Sequence, residues 1–173
     1  IKSHPDSHRA YSLVGRAMMD NRLLDEAVDL YTQAREKLDP TLYTFELASI
    51  YTVQQEYEAL VDVYTGYINV YPERFQYIEN QFDQLTATSN AIPELCKALE
   101  KALKNDPQQA WALHYFAGNA YTMISEYERA FTHIMISERM LQDNPIVEKI
   151  KSFRPGHALY EFSTTAAQAG ALD

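Results

Sequence analysis

Hydrophobic and polar residues alternate along this chain with the period of an α-helix, and one form of the pattern occurs four times. In three blocks, largely apolar residues occupy positions i, i+4, i+7 and i+11, and one further block keeps the first three of these positions. The blocks begin at Ala27, Leu60, Leu95 and Ala130, which are 33, 35 and 35 residues apart. This spacing places an apolar stripe on one side of a helix. The pattern therefore predicts four similar helices, each buried along one face.

Each of these blocks follows another helical block, and three of the preceding blocks carry a small residue at the matching position: Gly15, Ala48 and Gly118. A glycine inside a helix costs roughly 1 kcal/mol relative to alanine, so its presence indicates a position where a second helix approaches closely. We expect Gly118 to face Ala130 across one helical hairpin. Asp83 occupies the small-residue position in the remaining block, and the hairpin there is expected to be looser.

Prolines and short polar breaks between the blocks predict helical hairpins and no β-strand. The hairpins are expected near residues 7–38, 41–71, 73–105 and 109–142. The tail HALYEFSTTAAQAGALD predicts one more helix, because its GALD matches RLLD at residues 22–25 and Ser163 takes the small-residue position. Gly118 and Ser163 are 45 residues apart instead of 35, which predicts a longer connection over residues 143–156.

Three stretches of this chain resemble the tetratricopeptide repeat (TPR) family, whose unit is a helix–turn–helix of 34 residues. They are LVGRAMMDNRLLDEAVDLYTQAREKLDP, LASIYTVQQEYEALVDVYTGYINVYP and FAGNAYTMISEYERAFTHIMISE. The resemblance implies an all-α fold, a right-handed solenoid of antiparallel hairpins with about four repeats plus a partial fifth. It also implies that the chain is a fragment of a larger bacterial TPR protein. The single domain would span residues 1–173, with repeats near 7–39, 40–72, 73–107 and 108–142, a linker at 143–156 and a partial repeat at 157–173.

Composition limits the classes of partner. The 173-residue chain has 24 acidic and 15 basic residues and a formal charge of −9, so no nucleic-acid partner is expected. No apolar run reaches the roughly 18 residues of a spanning helix, so no membrane-spanning segment is expected. Cys96 is the only cysteine, which excludes an internal disulfide. The composition suits a soluble protein of either the cytoplasm or the periplasm.

Motifs of known catalytic sites are missing from the sequence. It contains no glycine-rich nucleotide loop, no HExxH and no GxSxG, so we expect no catalytic residue, no cofactor and no metal site. His114 and His133 lie on paired helices and could approach each other, but no third metal ligand is in view. Cys96 lies beside Leu95 at the start of an apolar stripe and is expected to be buried and unreactive.

The resemblance implies that this chain has a binding surface, because the first helices of successive TPR units line a concave groove. It implies a non-catalytic protein–protein interaction scaffold that binds a peptide or protein partner in that groove. The aromatic, amide and hydroxyl side chains at the matching positions suit an extended peptide. The expected groove residues are Arg16, Phe45, Ser49, Tyr77, Asn80, Gln84, Tyr115, Asn119 and Tyr160.

The alternative function is a structural or self-associating regulatory segment of a multidomain enzyme or envelope lipoprotein. A repeat unit buries its apolar face only against its neighbours, so both ends of the array are expected to expose apolar residues and to support a homo-oligomer. If the chain is instead monomeric, we expect the last helix to fold back over the fourth hairpin. The residues concerned are Leu159, Phe162 and Ala166 in the last helix and Ala10, Val14 and Ala17 in the first.

Overall fold

The computed structural model describes residues 7–88, 91–105, 107–150 and 153–171, and all regular secondary structure in these ranges is helical. The predicted all-α class, without strands, is confirmed for the described part of the chain. Two short 3₁₀ turns, Pro72–Arg74 and Pro145–Glu148, join helices. The described α-helices are α1 (His8–Asp20), α2 (Leu24–Lys37), α3 (Thr44–Gln54), α4 (Tyr57–Val70), α5 (Phe75–Thr88), α6 (Ile92–Leu103), α7 (Ala110–Met123), α8 (Tyr127–Leu141) and α9 (His157–Gln168).

The helices fall in pairs at the four predicted hairpins, with the ninth helix in the predicted tail. The chain divides into two compact units, one ending at Gly66 and the other beginning at Tyr67, so the boundary lies inside α4. The solenoid arrangement and the number of repeats stay predictions. In the described part of the chain, no helix is both long and apolar enough to cross a membrane.

In the first unit, α2 packs against both α1 and α3. A Cβ atom on Gly15 would lie 2.3 Å from Cζ of Tyr31, so the two helices approach closely at this glycine. The Tyr31 ring is buried and stacks on Tyr43, with ring centroids 4.5 Å apart. The Tyr43 hydroxyl donates a hydrogen bond to the carbonyl of His8 over 2.8 Å. These tyrosines therefore tie α1, α2 and the start of α3 together.

The second unit is built around α7, which packs against α5, α6, α8 and α9. A Cβ atom on Gly118 would lie 2.4 Å from Cγ1 of Ile134 and 3.3 Å from the carbonyl oxygen of Ala130. This geometry confirms the close approach that the sequence predicts between Gly118 and Ala130. The single tryptophan, Trp111, is buried in α7, and its carbonyl accepts a hydrogen bond from the buried hydroxyl of Ser137 over 2.9 Å.

The same type of turn follows four helices, α1, α3, α7 and α9. In each case a residue just after the helix has a positive φ of 61° to 71°, and the next N–H donates to the carbonyl five residues earlier, over 2.8 to 3.0 Å. This is the hydrogen-bond pattern of the Schellman motif. The positive-φ residues lie seven positions after the four predicted small-residue positions, so Gly170 and Arg22, the first residues of GALD and RLLD, also match in backbone conformation. The four positive-φ residues are Arg22, Gln55, Ser125 and Gly170.

In α5, the acidic residue at the small-residue position does not lie between packed helices. Asp83 is exposed, because a carboxylate is costly to bury without a partner. Three residues on, Thr86 is buried and its hydroxyl donates to the carbonyl of Phe82 over 2.9 Å. Serine and asparagine are favoured N-cap residues, and the two that precede α6, Ser89 and Asn90, lie outside the described residues. The helix itself starts at Ile92 with a proline in its first turn, where proline is well tolerated.

The expectation that the last helix exposes its apolar face is wrong. α9 packs on α7 and α8, and Phe162 and Ala166 are buried while Leu159 is half-buried. The connection before α9 is long enough to bring this face back onto the preceding helices, where burial of apolar surface stabilises it. Gly156 at the start of α9 donates its N–H to Oε2 of Glu138 over 3.0 Å. At the first helix, Ala10 and Val14 are half-buried and Ala17 is exposed.

Candidate functional site

A groove of about 530 Å³ lies between α5, α7 and α9 in the second unit. Helical spacing of three or four residues places the lining side chains of each helix on one face. Phe75, Phe153 and Phe162 add apolar walls. The main polar lining residues are Gln76, Glu79, Asn80 and Asp83 from α5, Tyr115, Asn119 and Thr122 from α7, and His157, Glu161 and Thr165 from α9.

Tyr115 links polar side chains of the groove through hydrogen bonds. Its hydroxyl donates a hydrogen bond to Oε1 of Glu79, and the Asn119 side chain also hydrogen-bonds to Tyr115. The Tyr115 ring lies edge-on to Phe75, with centroids 5.3 Å apart. Burial, and then the neighbouring Glu79, raise the pKa of Tyr115 well above its usual value. Tyr115 is therefore a neutral hydrogen-bond donor that positions the Glu79 carboxylate.

Carboxylates give the groove an excess of negative charge. Burial raises the pKa of Glu79, and the charges of Asp83 and Glu161 raise it further, while Tyr115 and His157 act in the opposite direction. The pKa of Asp83 is also raised, first by partial loss of hydration beside the groove and then by Glu161, although much of the side chain stays exposed. Loss of hydration is the larger cause of both shifts, and the like charges of the neighbouring carboxylates add to it.

The remaining charged groups are at the side of the groove where α9 begins. His157 Nε2 lies 3.3 Å from Oε1 of Glu161, and Arg154 also lines the groove. Glu138 contributes a fourth carboxylate, whose Oε1 is buried and makes no hydrogen bond within the described residues. Two cationic side chains at most therefore face four carboxylates.

The structure brings only some of the predicted groove residues together. Asn80, Tyr115 and Asn119 line this groove, whereas Tyr77 and Gln84 are exposed on α5 outside its lining. Tyr160 lies on another side of α9 and lines a separate groove. The remaining three lie in the first unit, where Arg16 and Ser49 are exposed and Phe45 is half-buried.

Sequence reasoning missed the acidic character of the groove. Glu79 and Asp83 are four residues apart and therefore share one face of α5, which is a signal that the sequence contains. From the sequence, Asp83 is only a departure from a packing position. Its neighbour across the groove, Glu161, belongs to the last helix, whose docking on the preceding helices the sequence offers only as the alternative for a monomeric chain.

The separate groove at Tyr160 is apolar and lies between α8 and α9. Its volume is about 520 Å³. Phe131 is 48% exposed and Tyr160 is 68% exposed, and Phe162 forms part of the lining, with its ring 5.9 Å from that of Phe131. Glu128 is the carboxylate in this lining.

His114 and His133 approach each other as the sequence predicts, with their Nδ1 atoms 2.9 Å apart. Burial and the adjacent His133 lower the pKa of His114 to about 4, and burial lowers the pKa of His133. One neutral ring donates its Nδ1–H to the Nδ1 atom of the other ring. If both Nδ1 atoms carried a proton, the two N–H groups would point at each other and the hydrogen bond would be lost. Among the described residues, no group of three or more His, Cys, Asp or Glu side chains could hold a metal ion.

Cys96 is buried, as predicted. Burial, with a smaller contribution from Glu100, raises the pKa of the thiol to about 11. Because the thiolate is the reactive form of cysteine, this side chain is in its unreactive form at neutral pH.

Comparison with protein-family models and with curated proteins finds no match to this chain. The resemblance to TPR units rests on the repeated residue pattern, and its functional meaning rests on the grooves described above.

Proposed function

We propose that this chain is a non-catalytic protein-interaction scaffold that binds an extended peptide segment of a partner protein between α5, α7 and α9. The supporting observation is a groove of about 530 Å³ that combines apolar walls with amide, hydroxyl and carboxylate side chains. Such a combination matches a peptide, whose backbone needs donors and acceptors and whose side chains need apolar contacts.

The architecture we propose is a TPR-type right-handed solenoid of about four repeats plus a partial fifth. The recurrence of one turn at Arg22, Gln55, Ser125 and Gly170 supports this assignment, since each turn follows a small residue by seven positions. In a solenoid of this kind, the first helices of successive units lie side by side. α5, α7 and α9 are the first helices in the proposed third, fourth and fifth units.

The charge of the groove favours a partner segment that carries Lys or Arg. Glu79, Asp83 and Glu161 repel one another, and a cationic side chain between them would remove that repulsion. An acidic segment, or a peptide held only by its terminal carboxylate, would add to the repulsion.

The hydroxyl groups of the groove support a binding role over a catalytic one. Thr122 donates to the carbonyl of Gly118 over 2.9 Å, and Thr165 donates to that of Glu161 over 3.0 Å. Tyr115 donates to Glu79. The two threonine hydroxyls use their protons within their own helices, and burial together with the neighbouring Glu79 raises the pKa of Tyr115. All three hydroxyls therefore keep their protons and are not activated as nucleophiles.

A displayed library of random peptides tests the proposal. We expect selection on the wild-type protein to enrich peptides with Lys or Arg. Synthetic copies of these peptides should lose about tenfold or more in affinity, ~1.4 kcal/mol, when the protein carries Asp83→Lys with Glu161→Lys. Both residues are exposed, so the fold should tolerate the change. Isothermal titration calorimetry gives the dissociation constants.

The matched control is Glu26→Lys with Glu36→Lys, which makes the same change in net charge at two exposed positions of α2. This control should bind the peptides nearly as well as the wild type. Equal losses of peptide affinity in both double variants would mean that the peptides bind through general electrostatic attraction and not through the groove. Enrichment of peptides without basic residues, bound equally by all variants, would contradict the proposal.

A further inference from the structure

We infer that copies of this chain associate head to tail, with α1 of one copy docked in the apolar groove between α8 and α9 of the next. This proposal does not depend on the peptide groove, because it uses different surfaces. It is carried by an exposed apolar groove, by an exposed leucine between two arginines on α1, and by the complementary charges of these two surfaces.

The acceptor face is the groove between α8 and α9. Phe162 lines this groove and is buried, whereas Phe131 and Tyr160 also line it and remain 48% and 68% exposed. Tyr127, Leu159 and Ala171 add further apolar lining. Exposed aromatic rings around a concave apolar surface are typical of a protein interface.

The docking face is the exposed side of α1. Arg9, Leu13, Arg16 and Ala17 are all exposed, and their spacing of i, i+4, i+7 and i+8 puts them on one side of the helix. Leu13 is 71% exposed, although a leucine in an amphipathic helix is normally covered. A helix that presents a central leucine with neighbouring arginines suits a groove with apolar walls and an acidic edge.

The charges of the two faces are complementary. Arg9 and Arg16 flank Leu13 on α1, and the acceptor groove contains Glu128, with the exposed Glu126 two residues before it. Within the described residues, no ion pair engages Arg9, Arg16 or Glu128. With a net charge of −9, two copies repel each other overall, so their association needs local pairing of this kind.

A contact between two different faces leaves one of each face open at the ends of the assembly. Such a heterologous contact extends into a chain of molecules unless its geometry closes into a ring. The expected behaviour is therefore a molecular mass that grows with concentration beyond that of a dimer.

Two single variants that each remove one face test this directly. Leu13→Asp disables the docking face, and Tyr160→Asp disables the acceptor face. Each variant alone should be monomeric in sedimentation velocity across the range in which the wild type associates. An equimolar mixture should form a dimer and nothing larger, because the groove of the first variant accepts α1 of the second.

Val53→Asp is the matched control, since Val53 is 69% exposed on α3 and belongs to neither face. It should associate like the wild type. A second set of variants tests the charges: Arg16→Glu and Glu128→Arg should each weaken association about twofold to fivefold, and combining the two changes in one chain should restore it. Helix content by circular dichroism checks that each variant is folded.

A wild-type protein that stays monomeric up to millimolar concentration would overturn the inference. So would a mixture of Leu13→Asp and Tyr160→Asp that remains monomeric while the wild type associates. A closed dimer that both single variants still form would place the interface on another surface and would also overturn it.

Discussion

Two glycines that lie inside helices differ in their surroundings. A Cβ atom on Gly118 in α7 would lie 2.4 Å from Cγ1 of Ile134, whereas one on Gly66 in α4 would meet only Nη2 of Arg35 at 3.9 Å. We expect Gly118→Ala to lower the free energy of unfolding by about 1–3 kcal/mol through overpacking. Gly66→Ala should raise it by roughly 0.5–1 kcal/mol, because alanine restricts the unfolded chain.

Urea unfolding of the two variants gives both changes on one scale. The opposite signs are the essential result, because both substitutions add the same methyl group to a helix. If Gly118→Ala were as stable as the wild type, α7 and α8 would not approach as closely as described.

The raised pKa of Asp83 leads to a prediction about stability. A raised folded-state pKa means that the ionised carboxylate is less favourable in the folded protein than in the unfolded chain. Asp83→Asn should therefore stabilise the protein at pH 7. The difference from the wild type should shrink as the pH falls through the folded-state pKa, where Asp83 takes up a proton. Thermal unfolding from pH 7 to pH 3.5 measures this, and a benefit that grew toward low pH would contradict a raised pKa for Asp83.

The histidine pair has the opposite dependence on pH. The pKa of His114 is lowered to about 4, below the value of about 6.5 for a histidine in an unfolded chain. The unfolded chain therefore binds more protons below that value, and this pair reduces stability as the pH falls from 6.5 toward 4.

His114→Gln tests the effect, since an amide can still hydrogen-bond to His133 but does not titrate. We expect the variant to lose less stability than the wild type between pH 7 and pH 4. Taking the difference between variant and wild type at each pH cancels the contribution of the groove carboxylates. Parallel pH profiles for the two proteins would mean that His114 is not held neutral.

At the scale of the helices, the recurring turn places non-glycine residues in the left-handed region at Arg22, Gln55 and Ser125. This conformation costs about 1–2 kcal/mol for most residues and little for glycine. Gln55→Gly should therefore stabilise the protein by up to about 1 kcal/mol, after the greater flexibility of glycine in the unfolded chain is included. Denaturant unfolding measures the change.

The control lies within the same helix. Ser49 is exposed in the interior of α3, and Ser49→Gly should lower stability by roughly 0.5 kcal/mol, since glycine is the poorer helix former. At the last turn, Gly170→Ala should increase amide exchange at the end of α9, because Gly170 has a φ of 71°. If Gln55→Gly and Ser49→Gly both raised the stability, the effect of glycine would have no connection with the turn.

At the scale of the whole molecule, the helices and one of their contacts were predictable because the signals are local. A period of 3.6 residues marks a helix within a short window, and Gly118 faces Ala130 because both lie near one tight turn. The buried state of Cys96 follows from the apolar stripe that contains it. These features need no knowledge of how distant segments meet.

The position of α9 and the charge of the groove were not predictable in this way. The sequence identifies Phe162 and Ala166 as an apolar face, but the docking of α9 on α7 and α8 decides which surface covers them. This docking also brings Glu161 toward Asp83, 78 positions earlier in the chain. Tyr160, which was expected in the peptide groove, lies in the apolar groove instead because the rotation of α9 about its axis is set by its packing on α8.

Trp111 gives the second unit an optical signal of its own. It is the only tryptophan in the chain, it is 2% exposed, and its ring lies 4.7 Å from that of Phe75. Its fluorescence should be blue-shifted in the folded protein and should move to longer wavelength when α7 becomes hydrated. Far-UV circular dichroism, in contrast, reports on the helices of both units. Unfolding curves that coincide in the two signals would show one cooperative transition, and separated curves would show that the first unit and the second lose their structure in different steps.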